Sequence, residues 1–203
     1  MTERRGRPGY DREGILKVAV DAFNEHGYDA TPMGLLADRL GLSKSAIYHH
    51  FDSKDQILEV ALDRAMSALE AARDTALDRE QTAEARLVAV LRGAVRVLVA
   101  ELPYVTLLLR VRGNTDVERN AVKRRRAFDR TMQQLVTAAR DEGSLREDVD
   151  PGLVERLLFG MINSIAEWYR PQHGDTADVI ADHVVSLATT GLFKPERIPA
   201  LGS

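Results

Sequence analysis

The sequence of 203 residues contains no cysteine. Disulfide bonds and thiolate metal sites are therefore excluded, and a reducing intracellular compartment is the expectation. No apolar stretch is long enough for a transmembrane helix, and the charged first residues are not followed by an apolar run of signal-peptide type. We therefore expect a cytoplasmic globular protein without a membrane partner.

A large excess of charge of one sign is also missing. The 28 lysines and arginines stand against 31 aspartates and glutamates, which gives a net charge of −3. This balance excludes a protein that coats nucleic acid through its overall charge, but it permits a local basic cluster that binds DNA.

Apolar residues recur at the three- and four-residue spacing of amphipathic helices throughout the chain. The first helix follows the capping residue Asp11 and stops at Gly27. The next begins at Thr31 and Pro32, where we expect the threonine hydroxyl to cap the helix and proline to occupy its first position. It continues to residue 40.

A third helix follows after a tight turn. Gly41 permits the turn, and Ser43 is a suitable cap for a helix that packs through Ile47 and Phe51. Further helical runs are predicted at 54–77, 82–101, 103–112, 115–142, 150–170 and 175–192. The predicted fold is all-α with about nine helices.

We divide the chain into two domains. Residues 1–54 form an N-terminal arm and a DNA-binding domain of three helices. Residues 55–203 form a larger helical domain for regulation, with a ligand pocket and a dimer interface. The short predicted loops give no reason to place a further boundary within this second domain.

Residues 31–48 have the helix, glycine turn and helix of a helix-turn-helix. The second helix of this motif enters the major groove, so its first residues, Lys44, Ser45 and Ala46, face base edges. Tyr48 can reach a base or a phosphate, and His50 and Lys54 are placed to hold phosphates. The complete set of candidate DNA-binding residues is Arg5, Arg7, Thr31, Ser43, Lys44, Ser45, Ala46, Tyr48, His49, His50 and Lys54.

Arg5 and Arg7 belong to an extended basic arm that precedes the first helix. Such arms can enter the minor groove, and a solvated tail is the alternative. The neighbouring His49 and His50 are not expected to chelate a metal together, because adjacent helical residues point about 100° apart. No metal and no cofactor are predicted.

The segment ADRLGLSKSAIYHHFDSK, residues 37–54, resembles the DNA-reading signature of the tetracycline-repressor (TetR) family. The resemblance implies base or groove contacts at Lys44, Ser45, Ala46 and Tyr48, and phosphate contacts at Thr31, Tyr48, His50 and Lys54. It also implies core positions for Phe23, Ile47 and Phe51. His49 departs from the residues that the family usually has there, which leaves its contact with DNA open.

The rest of the chain is similar to the TetR regulatory domain. Residues 142–151 and 157–171 are similar to family members that control the breakdown of fatty acids, aromatic compounds or steroids, several of which sense acyl-CoA thioesters. The resemblance implies a small hydrophobic effector, with an acyl-CoA as one candidate. The candidate ligand-binding residues are Tyr104, Leu108, Arg110, Arg125, Phe128, Phe159, Asn163, Trp168 and Tyr169.

A dense basic run lies between Arg119 and Arg130. It is interpreted either as a clamp for the phosphates of CoA or as solvated charges that pair with acidic neighbours such as Glu118, Asp129 and Asp141.

The last two helices are apolar enough to form a bundle between two subunits, as the resemblance implies. The candidate dimer residues are Leu157, Ile165, Val179, Ile180, Val184 and Leu187. A two-fold dimer predicts a palindromic operator.

Two other functions are weighed. No phosphate loop, nucleophile elbow or cysteine nucleophile supports an enzyme, and a solvated helix face explains the spacing of Asp178, Asp182 and His183. A DNA-binding protein that acts through protein partners or DNA architecture, without a small molecule, remains the alternative to a ligand-responsive repressor.

Overall fold

The computed structural model describes residues 11–148 and 150–190, and within them it contains nine α-helices, one short 3-10 turn and no strand. The helices are α1 (Arg12–His26), α2 (Met33–Leu40), α3 (Lys44–Tyr48), α4 (Lys54–Arg79), α5 (Ala83–Ala100), α6 (Leu102–Arg110), α7 (Asp116–Asp141), α8 (Pro151–Trp168) and α9 (Ala177–Thr190). The predicted all-α fold is confirmed. The arm residues Arg5 and Arg7 lie outside the described residues.

Most helix starts follow the capping signals in the sequence. The carboxylate of Asp11 accepts a hydrogen bond from the backbone N–H of Gly14 at 2.8 Å. The Ser43 hydroxyl accepts one from Ala46 at 3.1 Å. Both predicted caps are confirmed, since each side chain satisfies a backbone donor in the first turn of its helix. Gly27 ends α1 with a φ of 87°, which residues with a side chain rarely adopt.

The predicted cap at Thr31 is wrong. The structure begins α2 at Met33 with Pro32 as the N-cap, and no side chain caps this helix. Thr31 is fully buried, and its hydroxyl donates to the carbonyl of Gly27 at 2.7 Å. The hydroxyl therefore satisfies an acceptor just beyond α1 in place of the first N–H groups of α2.

Helix α6 ends two residues earlier than the predicted residue 112. The buried Glu118 carboxylate accepts backbone hydrogen bonds from Arg112, Gly113 and Asn114 at 2.8 to 3.0 Å. Since these N–H groups are satisfied by the start of α7, the chain turns there and does not continue the helix.

The chain forms two compact units. Among the described residues, the first unit contains 11–66 and 103–124, and the second contains 67–102, 125–148 and 150–190. The division falls within the continuous helices α4 and α7.

The core of the first unit is built mainly by α1, α2, the N-terminal part of α4 and α6. Phe23 and Phe51 are almost fully buried, as is Ile47 of α3. The Phe23 ring meets Tyr28 edge to face at 5.1 Å between centroids. The core positions that the resemblance implies for Phe23, Ile47 and Phe51 agree with this burial.

In the second unit, α5 packs against both α8 and α9. The buried side chains of this packing include Leu91 and Leu98 on α5, Ile162 on α8 and Ile180 on α9. Arg96 of α5 also pairs with Asp178 of α9 at 2.6 Å, and Arg92 pairs with Asp182. The two arginines are four residues apart on α5 and the two aspartates are four residues apart on α9. The two ion pairs therefore lie one turn apart, with the helices running in opposite directions.

Among the described residues, no helix has the length and apolar character that crossing a membrane requires.

Candidate functional site

A left-handed glycine joins the two helices of the helix-turn-helix. Gly41 has φ 62° and ψ 30°, and the backbone N–H of Leu42 donates to the carbonyl of Ala37 at 3.0 Å. This arrangement closes the C-terminal end of α2 and turns the chain toward α3 within three residues. The serine cap at Ser43 then starts α3.

Helix α3 has only five residues, and Ile47 anchors it in the core. On its other sides, Lys44, Ser45 and Tyr48 are exposed, and 47% of the Tyr48 surface is accessible. An exposed tyrosine on such a short helix presents both an apolar ring and a hydroxyl to a partner. The structure thus brings the predicted base-reading residues together on one accessible surface.

Lys44 lies against α2 at a position without a side chain. Its Cε is 3.3 Å from the point where a Cβ on Gly34 would lie, and its Nζ is 3.6 Å from that point. Any larger residue at position 34 must displace Lys44 by a few tenths of an ångström. Gly34 was not singled out from the sequence, because only the fold shows which residue uses the space beside it.

The other predicted DNA-binding residues differ in accessibility. Ser43 and His49 are exposed, Ala46, His50 and Lys54 are half-buried, and Thr31 is buried. The rings of His49 and His50 meet edge to face at 5.6 Å. In the part of the chain that the structure describes, no group of three metal-ligating residues is present.

Lys54 is held by Tyr28. Its Nζ donates to the Tyr28 carbonyl at 2.9 Å and lies 4.1 Å from the centre of the Tyr28 ring. The Tyr28 hydroxyl donates to the carboxylate of Asp55, and burial, followed by this carboxylate, raises the pKa of Tyr28. An ammonium group has three donors, so Lys54 keeps donors for another acceptor. Tyr28 is not among the residues predicted from the sequence, and the signal that could have indicated it is an aromatic residue directly after the helix-ending Gly27.

The predicted ligand-binding residues are distributed over both units. Tyr104, Leu108 and Arg110 belong to the first unit, and the other six belong to the second. Within the second unit, Phe128 and Phe159 meet edge to face at 5.6 Å. Tyr169 is buried, and Trp168 is 50% exposed. Asn163 and Arg125 are half-buried.

Among the described residues, the structure has one cavity that involves a predicted ligand residue and a larger one that does not. One of about 190 Å³ in the first unit is lined by the predicted Arg110 and by Asn24, Tyr28 and Glu118. Another of about 550 Å³ in the second unit lies between residues 71–80 and 89–97, and its lining contains none of the predicted ligand residues. No sequence pattern marks this second cavity, because alanine and glycine at helical spacing are also typical of closely packed helices.

Part of the basic run between Arg119 and Arg130 forms ion pairs. Arg119 pairs with Asp116 at 2.5 Å, and Arg124 pairs with Asp63 at 2.7 Å. The suggested partner Glu118 instead accepts the backbone hydrogen bonds described above. For Arg119 and Arg124, these contacts fit the interpretation of the basic run as surface charges that pair with acidic neighbours.

The predicted dimer residues separate into two groups. Leu157, Val179 and Leu187 are exposed, and Leu157 has 63% of its surface accessible. Ile165, Ile180 and Val184 are buried within the chain itself. Exposed Leu153 and Trp168 lie on the same helix as Leu157. Large exposed apolar side chains on two neighbouring helices are typical of a surface that another molecule covers.

Asp178 and Asp182, whose helical spacing with His183 is explained by a solvated face, are the ion-pair partners of Arg96 and Arg92. The guanidinium of Arg92 lowers the pKa of Asp182. A carboxylate held ionised in this way is a poor proton donor near neutral pH.

Comparisons with known proteins assign both parts of the chain. Residues 15–61 match the family model "Bacterial regulatory proteins, tetR family", and residues 80–192 match "Tetracyclin repressor-like, C-terminal domain". The transcriptional repressor KstR2 of Rhodococcus jostii (strain RHA1) is 29% identical over 209 residues, which cover 95% of each chain.

Solved structures show the same fold. SCO3833 of Streptomyces coelicolor A3, a TetR transcriptional regulator, superimposes with a TM-score of 0.84 and 46% identity, covering 96% of this chain and 94% of that one. AibR, solved with isovaleryl coenzyme A and operator DNA, has a TM-score of 0.75, 22% identity and coverage of 90% and 99%. The chain belongs to the TetR family of bacterial transcriptional regulators.

Proposed function

We propose that this protein is a ligand-responsive repressor that binds palindromic operator DNA as a homodimer. The observation that carries the proposal is the accessible surface of α3, where Lys44, Ser45 and Tyr48 are exposed while Ile47 fixes the helix in the core. A rigid helix with donors and an aromatic ring is suited to the major groove. This function puts the protein with the chromosome, in the cytoplasm.

In this proposal, residues 1–54 are the DNA-binding domain, and the arm with Arg5 and Arg7 adds contacts in the minor groove. Lys44, Ser45 and Ala46 read bases, while Tyr48, His50 and Lys54 hold the backbone. Ser43 starts the reading helix, and His49 is an accessible neighbour. The Thr31 hydroxyl is left out, since the buried side chain has no surface to offer a phosphate.

The dimer is proposed to form through α8 and α9. Leu157, Val179 and Leu187 supply the exposed apolar surface, together with Leu153 and Trp168. Ile165, Ile180 and Val184 support this surface from the chain's own core. Two-fold symmetry then presents two readers to two half-sites.

The effector is proposed to be a small hydrophobic molecule, with acyl-CoA thioesters as the first class to test. AibR was solved with isovaleryl coenzyme A, and this likeness supports the choice. Residues 55–203 would bind the effector, and binding would change the separation of the two readers in the dimer so that they no longer fit both half-sites. A coupling of about 1 to 3 kcal/mol gives a five- to 150-fold loss of affinity.

The experiment is fluorescence anisotropy on DNA from the region upstream of the protein's own gene, titrated with medium-chain, long-chain and aromatic acyl-CoAs. Release by a thioester, and not by its free acid, is the expected result. Specific DNA binding whose affinity no thioester changes would discard this ligand class. If no small molecule changes the affinity for DNA, the protein acts through protein partners or DNA architecture.

A further inference from the structure

The cavity of about 550 Å³ in the second unit, which we call the α4–α5 cavity, exists because short side chains face each other. A Cβ on Gly93 of α5 would lie 3.1 Å from the Cβ of Ala72 on α4, so the two helices approach closely there. Alanines and Thr75 line much of the remaining wall. The volume is within the range of about 300 to 1,000 Å³ that is typical of small-molecule sites.

Three arginines line the same cavity, namely Arg79 from the last turn of α4 and Arg92 and Arg96 from α5. Glu80 is the acidic residue in the lining. An apolar wall beside guanidinium groups suits a molecule with an apolar body and an anionic head.

Two of these arginines already hold carboxylates of α9. Arg92 donates through Nη1 to Asp182, and Arg96 donates through Nε to Asp178 at 2.6 Å. Each guanidinium has five N–H donors, so the bond to its aspartate leaves several available. A ligand anion in the cavity can share these arginines or replace the aspartates, and both effects weaken the link between α5 and α9.

We propose that the α4–α5 cavity binds a compact anionic ligand, with a phosphate or carboxylate head and an apolar body, in competition with Asp178 and Asp182. This binding claim does not depend on the proposed function. Its consequence for DNA does, because α9 belongs to the proposed dimer surface.

The test is isothermal titration calorimetry on the full-length protein without DNA. The probes are naphthyl phosphate and naphthoate, with uncharged naphthol and inorganic phosphate as controls. We expect at least one naphthyl anion to bind at least about tenfold more tightly than naphthol or inorganic phosphate alone. The two anions distinguish a phosphate head from a carboxylate head. Equal binding of naphthol would overturn the anionic site.

Variants locate the ligand. Thr75→Trp fills the cavity from an exposed position and should abolish binding, and Arg79→Gln should weaken it about tenfold. The matched control is Arg126→Gln, which removes an exposed arginine of α7 that is not in the lining. If Arg79→Gln binds like the parent protein and a folded Thr75→Trp variant also does, the ligand is not in this cavity.

The competition has its own readout. The double variant Asp178→Asn, Asp182→Asn frees both arginines, so naphthyl anions should bind several-fold more tightly. Unchanged affinity would overturn the competition. If Thr75→Trp abolishes naphthyl binding but acyl-CoA still releases the protein from DNA, the cavity is a site separate from the effector site. If no acyl-CoA releases the parent protein, the proposed function fails while the calorimetry still decides the site.

Discussion

Asn24 of α1 donates its side-chain amide to the carbonyl of Pro103, in the first turn of α6, at 2.8 Å. At the other end of α6, Arg110 donates to the backbone carbonyl of the same Asn24. The proline carbonyl can only accept, so the amide orientation is fixed, and the Asn24 Oδ1 is buried without a hydrogen-bond partner. Asn24 thus bonds to both ends of α6, and it belongs to α1, the helix that packs on α2.

Replacing Asn24 should therefore affect signalling more than stability. Asn24→Ala loses the bond to Pro103 but also removes the unsatisfied oxygen, and we expect the free energy of unfolding to change by less than about 1 kcal/mol. Operator affinity should persist, while the effector releases the variant less completely. Urea melts and anisotropy titrations measure the two effects. A full effector response in the variant would show that the bond to Pro103 does not contribute.

The DNA-reading residues should separate by role. Lys44→Ala is expected to change base preference. It should lose about 1 to 3 kcal/mol of binding free energy on the preferred operator, and less on operators in which the base pair that Lys44 contacts is changed. Tyr48→Ala and Lys54→Ala should weaken binding on all sequences by similar factors, because phosphates are the same everywhere. Anisotropy on a set of single-base operator variants gives the comparison. Equal losses for Lys44→Ala on every variant would contradict base reading.

Gly34→Ala separates helix stability from DNA reading. Alanine in place of glycine inside α2 should stabilise the helix by up to about 1 kcal/mol. The added Cβ lies 3.3 Å from the Lys44 Cε and must displace it. We expect a higher melting temperature together with weaker base discrimination. In a double-mutant cycle, the change in discrimination should vanish in the Lys44→Ala background, and its persistence there would assign the effect to another residue.

Two carboxylates should respond to pH in opposite directions. Burial, and then the nearby Asp129 carboxylate, raises the pKa of Glu155, against a smaller lowering by Arg156. A raised pKa in the folded chain means that ionisation favours unfolding, so this contribution to stability is lost as pH rises through the folded pKa. Glu155→Gln should therefore raise the free energy of unfolding at neutral pH, and the difference from the parent protein should become smaller in acid. Urea melts across the acidic range measure this, and a destabilised variant at neutral pH would contradict it.

Asp182 supplies the matched control for Glu155. Its pKa is lowered by the Arg92 hydrogen bond, so its contribution is present above the unfolded pKa and is lost as pH falls through the folded value. Asp182→Asn should therefore lose stability at neutral pH and approach the parent protein in acid.

The single tryptophan, Trp168, reports on the proposed dimer. It is half exposed in one chain and shares α8 with Leu157. Dimerisation should bury it and shift its emission to shorter wavelength, and Leu157→Glu should abolish that shift because a glutamate is costly to bury at an apolar contact. Sedimentation velocity gives the mass directly. Dimeric Leu157→Glu protein would place the interface elsewhere.

The buried neighbour Ile165 is the control for Leu157. Ile165→Ala should lower the free energy of unfolding by about 2 to 5 kcal/mol, since it removes core contacts. Leu157→Glu should leave the stability of the single chain nearly unchanged, because that position is 63% exposed.

Local sequence signals predicted the helices, because caps such as Asp11 and Ser43 act within three residues of themselves. Thr31 shows where this reasoning fails. Its hydroxyl could bond either to the following helix or to the preceding chain, and in the folded protein the buried hydroxyl donates to the carbonyl of Gly27, which precedes it. The bond between Asn24 and Pro103 joins residues 79 positions apart. No local pattern marks such a pair, and the same holds for the space that Gly34 leaves to Lys44.

The shortness of α3 limits how much sequence information one reader can carry. Five residues at 1.5 Å each extend about 7.5 Å, or roughly two base-pair steps of about 3.4 Å. A genome offers about 10⁶ to 10⁹ competing sites, and a DNA sequence of about two or three base pairs recurs many times among them. Selectivity in the proposed dimer must therefore come from two short half-site sequences that are bound at a fixed spacing. Inserting base pairs between the half-sites should abolish recognition more completely than changing any single base pair.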